Sequence, residues 1–538
     1  MINEVETPLA SSEQSVSATP HAGATRERIL KPAVQVTLLS LVNIVIGFLV
    51  QVVLAEKFGT GVEMDAYLAA TTIPTTLTAI LLGALGITFV PVFARYRSMS
   101  GQSEAWQVVS SFTNLFIALL ILLAGMGMLM AEDLLRITVP GLAANSTSFH
   151  LAIEMSRVLY PSIIFVGAGA LFSSVAYAER SFVRPAAGPI VYNGVTILGV
   201  LVLSNSLGIR SVAWSALAGA VAQFVLLLPV AIGQNRFRFT LDLRHPGVRQ
   251  ALRVMTPLIL GAIIFRSNTI ADRFVASLLP VGSISYLGYG LKLLNILMTI
   301  TSSGIVISIF PIQSEHAAAD RAALGRVTST GLRLSILLTL GVGVCFLVLR
   351  ETVIRVLFER GAFDAQATHA VSEIMLFYAG ALFVQSMFGS ITYALYSLQQ
   401  TGLTTLIAVA GALLNFALLA PLSRWLGVNG VALAYSIAST FNACILIVAL
   451  IRRFRVPLEQ SIITCLAKSA TAALAAGGVV EVCKGLFSGV AASSGIEGGL
   501  WLVSMVAVFV ILYLAVLFFL KSDDLIHVWH RFRMRLSA

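Results

Sequence analysis

The chain has 538 residues, of which 57% are hydrophobic and only 11% are charged. An ordinary soluble domain carries about 25% charged residues, so this composition excludes a soluble protein. The net charge of +10 is scattered singly or in short groups at the ends of apolar stretches, without an aromatic-rich basic domain. We therefore predict an integral membrane protein that does not bind nucleic acid.

The apolar stretches are long enough to cross a hydrocarbon core of about 30 Å, which takes about 20 helical residues. They predict an all-α integral membrane protein with about 14 transmembrane helices. In chain order the expected spans cover residues 33–55, 68–93, 107–130, 151–177, 187–204, 211–231, 254–280, 284–310, 329–349, 371–397, 402–419, 430–451, 462–484 and 498–520.

A weak internal repeat indicates how these helices are grouped. GITFVPVFARY at residues 86–96 resembles VISIFPIQSEH at residues 306–316, and such repeats are common in transporters. The repeat predicts two pseudo-repeated six-helix lobes followed by two C-terminal helices. The expected units are a disordered cytoplasmic tail at 1–30, an N-lobe at 31–235 (helices 1–6), a C-lobe at 250–455 (helices 7–12), helices 13 and 14 at 460–521, and a basic cytoplasmic tail at 522–538.

The basic residues also predict an orientation. If the N-terminus is cytoplasmic, 22 of the 35 lysines and arginines lie in cytoplasmic tails and loops or at the adjoining span ends, and 8 lie at the opposite side. Such an excess orients membrane proteins. We therefore expect both termini to be cytoplasmic, as an even number of spans requires.

The remaining five basic residues lie within spans, and three of them, Arg266, Arg273 and Lys292, fall in the hairpin of the seventh and eighth spans. Arg266 is 12 residues beyond Val254 and so near the membrane midplane, and Arg273 follows two helical turns later on the same face. Lys292 lies at a depth between the two arginines in the returning span. A charge at the bilayer centre costs about 2.5 to 3.5 kcal/mol even on lenient scales. The hairpin therefore predicts a cavity that binds an anion, and paired arginine donors suit phosphate.

Three further residues complete the predicted binding site: Asp272, Asn268 and Asp65. Asp272 has a different azimuth from its neighbour Arg273, so its partner is expected on another helix. A structural alternative is that Asp272 neutralises Lys292 while Arg273 extends to the outer interface. Asp65 opens the second span, where a helix dipole also favours an acidic residue.

Other charged and polar residues favour structural roles. Arg157 lies three residues after Glu154, a spacing at which the two can pair on one helix. Intramembrane amides such as Asn43 and Asn193 are more often interhelical contacts than ligands. The segment from Glu351 to Phe363 fits a short amphipathic helix on the outer surface, ended by a glycine.

No motif of an enzyme is present. The seven histidines fall in tails or loops without metal-ligand spacing, and no phosphate loop of the GxxxxGK[ST] type occurs. The four cysteines lie in or at the ends of spans and are interpreted as small core residues. We expect no catalytic residue, no metal and no cofactor.

Several motifs together resemble the MurJ/MviN family of lipid-linked sugar flippases. They are MDAYLAATTIP, GITFVPVFARY, DRFVASLLPVGSISYLGYGLKLL and VLFERGAFDAQAT. The resemblance covers roughly residues 33–451 and then the last two spans. It implies a two-lobed transporter with a central cationic cavity that moves an undecaprenyl-pyrophosphate-linked sugar outward by alternating access. The larger exporter superfamily also includes O-antigen flippases and multidrug extruders.

The first two spans depart from this family pattern. In lipid II flippases these spans typically carry patterns like SRxxGxxRD and IPNxxRRxxAEGA. This chain has NIVIGFLVQ and IPTTLTAILLGA at the corresponding positions. The family's charged positions are taken by uncharged residues, namely Ile44, Val50, Gln51, Thr78 and Ala79. Lys292 stands where the family has a basic residue, and Asp65 matches the acidic residue before the second span.

The lost arginines favour a flippase for exopolysaccharide, capsule or O-antigen synthesis in the bacterial inner membrane. The alternatives are a lipid II flippase of peptidoglycan synthesis, an ion-coupled multidrug exporter, and a membrane glycosyltransferase or polymerase. An exporter of cations would more naturally carry buried carboxylates, and a glycosyltransferase would need an acidic cluster or a large external loop. The expected partners are a lipid-linked anionic glycan, membrane lipids, and polysaccharide synthesis and polymerase proteins.

Overall fold

A computed structural model describes residues 21–522, apart from residues 100, 180, 233–239, 241, 243–244, 318–319, 488 and 490–494. Within these residues the protein is helical and contains no β-strand. The predicted tail segments 1–20 and 523–538 lie outside the described residues.

The described residues of the first half form eight α-helices, most of which are long and apolar. They are α1 (His21–Phe58), α2 (Val62–Met99), α3 (Gly101–Leu129), α4 (Ala131–Thr138), α5 (Ser146–Leu159), α6 (Ser162–Ala178), α7 (Val183–Leu207) and α8 (Arg210–Ile232).

Within the described residues, the second half forms nine further α-helices. They are α9 (Pro246–Ser277), α10 (Ser283–Met298), α11 (Gly304–Ala317), α12 (Arg321–Phe358), α13 (Ala365–Ser397), α14 (Thr401–Leu426), α15 (Val428–Val448), α16 (Ser461–Leu486) and α17 (Ile496–Phe519). A π-helical turn at Thr299–Ser303 joins α10 to α11.

The predicted all-α membrane architecture is confirmed. Within the described residues, 14 helical segments are long and apolar enough to cross a membrane, and each overlaps one predicted span. The fourth span consists of two helices, α5 and α6, because the helix is interrupted at Tyr160 and Pro161. Proline lacks the N–H that a continuous helix would use. The eighth span combines α10, the π-helical turn and α11.

Two local predictions are corrected. The segment from Glu351 does not form a separate surface helix, because it continues α12 to Phe358. The glycine at position 361 follows in a left-handed conformation with φ 58°, so it forms the turn beyond the helix end. The predicted disordered tail is helical from His21 onward, where α1 begins, and the alanine, arginine and glutamate residues that follow are good helix formers.

The helices pack in two groups. In the first half, α2 packs against α3, α5 and α6, while α7 packs against α1 and α8. In the second half, α13 packs against α10, α12 and α15, and α14 packs against α15. The helix α9 contacts both groups, since it packs against α2 and α14. This packing supports our proposal of two lobes.

The last two helices attach to the outside of the second group. Helices α16 and α17 pack against each other and against α12 around buried Trp501, Phe509 and Tyr513. Arg333 on α12 donates to a Glu459 carboxylate oxygen at 2.6 Å, which fastens the connection that leads into α16.

The cysteine prediction is only partly correct: Cys345 and Cys465 are buried, but Cys444 is exposed.

Candidate functional site

A cavity of about 660 Å³ lies within the second group of helices. Its walls come from α9, α10, α13, α14 and α15. This volume falls within the range of about 300 to 1,000 Å³ that is typical of ligand pockets. The cavity is therefore large enough to hold the polar head of a substrate.

The three cations of the predicted hairpin all line this cavity. Arg266 and Arg273 project from α9, and Lys292 projects from α10. Arg266 and Lys292 are exposed in the protein, whereas Arg273 is half-buried and donates to the Ile284 carbonyl at 3.3 Å. The structure thus brings together the three cations that the sequence predicts on one helical hairpin.

Their surroundings compensate only part of this positive charge, since Asp65 and Asp272 attract Arg273 electrostatically from a distance. Within the described part of the chain, no carboxylate oxygen lies within 4.0 Å of Arg266, Arg273 or Lys292. Asp272 is the one carboxylate among the residues that line the cavity. Three cations therefore face a single carboxylate. Such an arrangement favours an anionic guest, because a bound anion compensates charge that is costly inside a membrane.

Asp272 has its partner on another helix, as its azimuth predicts. It is 7% exposed, and one carboxylate oxygen accepts a hydrogen bond from the Asn415 side-chain amide on α14 at 3.1 Å. The predicted alternative, in which Asp272 neutralises Lys292, does not occur in the structure. The second α9 polar residue in the predicted site, Asn268, lines the same cavity.

Asp65 lies outside the cavity. It is 5% exposed, and its two carboxylate oxygens accept hydrogen bonds at 2.7 Å from the backbone N–H groups of Gly282 and Ser285. These groups belong to the first turn of α10, where the helix dipole favours a negative charge. Asp65 on α2 therefore caps a helix in the other half of the chain, a partner that sequence spacing does not reveal.

Other predicted pairs are resolved by contacts between helices. Glu154 accepts from Arg210 on α8 at 2.7 Å, so the predicted pair with Arg157 on the same helix is wrong. The Asn193 side chain donates to Asn43 at 3.1 Å, which confirms an interhelical contact between α7 and α1.

The cavity also contains polar residues that the sequence interpretation did not single out. They lie on α13 and α15, and include Gln385, Thr392, Tyr396, Ser439 and Asn442. Two of them could have been noticed in the sequence, because Gln385 and Asn442 are amides within apolar spans. Nothing in the local sequence indicates that they face the cations on α9 and α10.

The first group of helices does not add cations to this arrangement. The membrane windows Val34–Phe58 and Val62–Leu85 contain one basic residue, Lys57, at the end of the first window. At one position where the resemblance leads us to expect an arginine, Thr78 donates to the Pro74 carbonyl of its own helix at 2.8 Å. The positive charge of the candidate site therefore comes from the second half of the chain.

The fold and the cavity define a multi-pass membrane transporter. Among the described residues, no group of three or more histidine, cysteine, aspartate or glutamate side chains could hold a metal ion. The lining residues instead offer charged and neutral hydrogen-bonding groups within an apolar bundle. These groups can hold a polar molecule away from hydrocarbon.

Comparison with known sequences identifies the family. The family model described as "Lipid II flippase MurJ" matches residues 54–494, and the chain belongs to this family of membrane transporters. A probable lipid II flippase MurJ from Bdellovibrio bacteriovorus is 25% identical over 446 residues, which cover 81% of this chain and 85% of the relative. The lipid II flippase MurJ of Burkholderia cenocepacia is 26% identical over 351 residues, or 63% of this chain and 67% of the relative.

Solved structures share the fold. The inward closed conformation of a lipid II flippase MurJ superimposes with a TM-score of 0.76 at 22% identity, covering 90% of this chain and 98% of that chain. An inward-facing multidrug resistance MATE family transporter of the MOP superfamily gives a TM-score of 0.66 at 15% identity, covering 78% of this chain and 98% of that chain. These structures show the shared fold, and the match to the family model confirms the sequence-based resemblance.

Proposed function

We propose that this chain moves lipid II, the lipid-linked precursor of peptidoglycan, across the bacterial inner membrane. The family match and the names of the curated relatives support this substrate. They favour it over the exopolysaccharide, capsule or O-antigen precursor that the sequence interpretation prefers, for which the comparisons give no support.

The observation that carries the proposal is the cavity with three unpaired cations. A pyrophosphate carries negative charge that neither the apolar spans nor the lipid tails can stabilise, and each ion left unpaired in hydrocarbon is very costly. Arg266 and Arg273 can each offer several N–H donors to phosphate oxygens, and Lys292 adds a point charge. The phosphate would bind at the α9–α10 wall while the lipid tail stays in the bilayer.

We propose alternating access as the transport mechanism, with both termini in the cytoplasm. Contacts between the two halves at the predicted outer end support this proposal. The Ala362 N–H donates to the Glu56 carbonyl at 2.8 Å, and the Tyr289 hydroxyl donates to the Gly59 carbonyl at 3.2 Å. Together with the Asp65 cap, these contacts close the outer end, and their release would open it.

Complementation tests the choice of substrate. The chain is expressed in a bacterial strain depleted of its own lipid II flippase, and an Arg266→Ala, Lys292→Ala double variant serves as the control. Growth with the wild type and loss of growth with the double variant would support lipid II transport by this cavity. Lack of growth, with the wild-type protein present in the membrane, would contradict it.

A second candidate is a lipid-linked precursor of another surface polysaccharide. The observation that favours it is the uncharged α1 and α2, where Ile44 and Gln51 occupy positions that carry charge in the family pattern. Failure to complement, together with restored polymer export in a strain lacking an exopolysaccharide flippase, would select this candidate.

A further inference from the structure

The two sides of the cavity differ in chemistry. All three cations lie on α9 and α10, whereas the residues contributed by α13, α14 and α15 include no charged side chain. The latter helices instead carry amides, hydroxyls and aromatic rings. We refer to this side as the neutral wall and define it by Gln385, Thr392, Tyr396, Ser439 and Asn442.

The neutral wall is arranged by contacts between its own helices. The Gln385 side-chain amide on α13 donates to the Ser439 hydroxyl on α15 at 2.8 Å, and this bond holds both groups at the cavity surface. Gly411 on α14 leaves room for Asn442, since a Cβ at this glycine would overlap the amide side chain. The close approach of α14 and α15 thus depends on a missing side chain.

Two amide oxygens of this region have no partner. Within the described residues, the side-chain oxygens of Asn415 and Asn442 are buried and accept no hydrogen bond. Asn415 is 0% exposed, and both residues line the cavity. Buried acceptors are normally paired. Because neighbouring atoms cover both oxygens, a guest meets the wall through the side-chain groups that line the cavity and not through these acceptors.

We propose that the neutral wall is a subsite for the sugar that adjoins the pyrophosphate of the lipid-linked substrate. This inference rests on the proposed function, because it assumes that the α9–α10 wall binds the phosphate. Sugar hydroxyls both donate and accept, as do the amides and hydroxyls of the wall. The absence of charge among its lining residues matches an uncharged sugar better than an ionised peptide.

The test compares two probes on the full-length protein in lipid nanodiscs. One probe is a short-chain polyprenyl pyrophosphate, and the other is the same molecule with one N-acetylglucosamine on the terminal phosphate. Affinities are measured for the wild type, Gln385→Ala and Asn442→Leu. One lost hydrogen bond corresponds to about 2- to 12-fold in affinity. We expect each variant to lose that factor for the sugar-bearing probe and less than about twofold for the bare probe.

Thr440→Val is the matched control, because Thr440 lies on α15 but is exposed and does not line the cavity. Both affinities should stay unchanged in this variant. The subsite is refuted if Gln385→Ala and Asn442→Leu leave the sugar-bearing probe unaffected, or weaken both probes equally. Failure of the proposed phosphate site gives a different result, in which the wild type does not bind the bare probe or Arg266→Ala leaves its binding unchanged. If Asn442→Leu does not fold, the truncation Gln385→Ala decides the test alone.

Discussion

Replacing Asp65 with asparagine should destabilise the protein without weakening substrate binding. The carboxylate accepts two backbone hydrogen bonds at 2.7 Å in a buried position, and hydrogen bonds to a charged group contribute about 1.5 to 3 kcal/mol each. Asparagine keeps one acceptor oxygen and turns an NH₂ group toward the other N–H. One bond is lost and the other becomes a weaker neutral bond, so we expect a loss of about 2 to 4 kcal/mol.

Thermal unfolding of the purified protein measures this loss. An unfolding entropy of about 2.1 cal/mol/K per residue converts it to a decrease in Tm of about 2 to 4 °C for a chain of this length. Glu63→Gln is the control, since Glu63 lies in the same first turn of α2 but is exposed, and its Tm should not change. An unchanged Tm for Asp65→Asn combined with lost binding of a polyprenyl pyrophosphate would refute the capping role and restore Asp65 as a ligand.

Substitutions at three further contacts are tested by the same Tm measurement. Gly361→Ala should lower the stability by about 2 to 5 kcal/mol, because a side chain is strained at φ 58° and would overlap a neighbouring carbonyl. Gly427→Ala is the control, since Gly427 has φ 60° but open space around it, and it should lower the stability by about 1 to 2 kcal/mol. Equal losses of stability in the two variants would contradict the overlap. Glu154→Gln should cost less than about 1 kcal/mol, since its bond to Arg210 is exposed, and a larger loss would reveal a network. Asn193→Ala removes one interhelical hydrogen bond and should cost about 0.5 to 1.5 kcal/mol; no loss would mean that the amide pair does not stabilise the bundle.

Much of the fold could be predicted because each membrane span must satisfy the hydrogen bonds of its own backbone N–H and C=O groups. A helix that crosses hydrocarbon needs a long apolar stretch, so the number and approximate positions of the spans follow from the sequence. Helix ends are less predictable: α9 begins at Pro246, eight residues before the apolar stretch that starts at Val254. The polar turns of a helix that extend beyond the bilayer carry no hydropathy signal.

The candidate site was predictable where residues share a helix or a hairpin. Arg266 and Arg273 are two turns apart and line the same cavity, and Lys292 follows on the returning helix. Asp65 shows the limit of this reasoning, because its partners are 217 and 220 positions away. Pairing of that kind depends on how the two halves pack, and no local pattern encodes it.

The neutral wall illustrates the same limit. Gln385 and Asn442 were recognisable only as amides in apolar spans, and such amides usually join helices. The structure gives them a shared surface with the cations on α9 and α10. Their relation to the site arises from the packing of α13 and α15 around one cavity.

Binding of a polyprenyl pyrophosphate to the purified protein tests the cation site most directly, with Arg266→Ala and Lys292→Ala as variants and Arg157→Ala as the control outside the cavity lining. A charged hydrogen bond of about 1.5 to 3 kcal/mol corresponds to about 10- to 150-fold in affinity. We expect a loss of this size in both cavity variants, weaker binding at high salt, and no change in the control. Wild-type affinity in both cavity variants would show that these cations do not bind the phosphate.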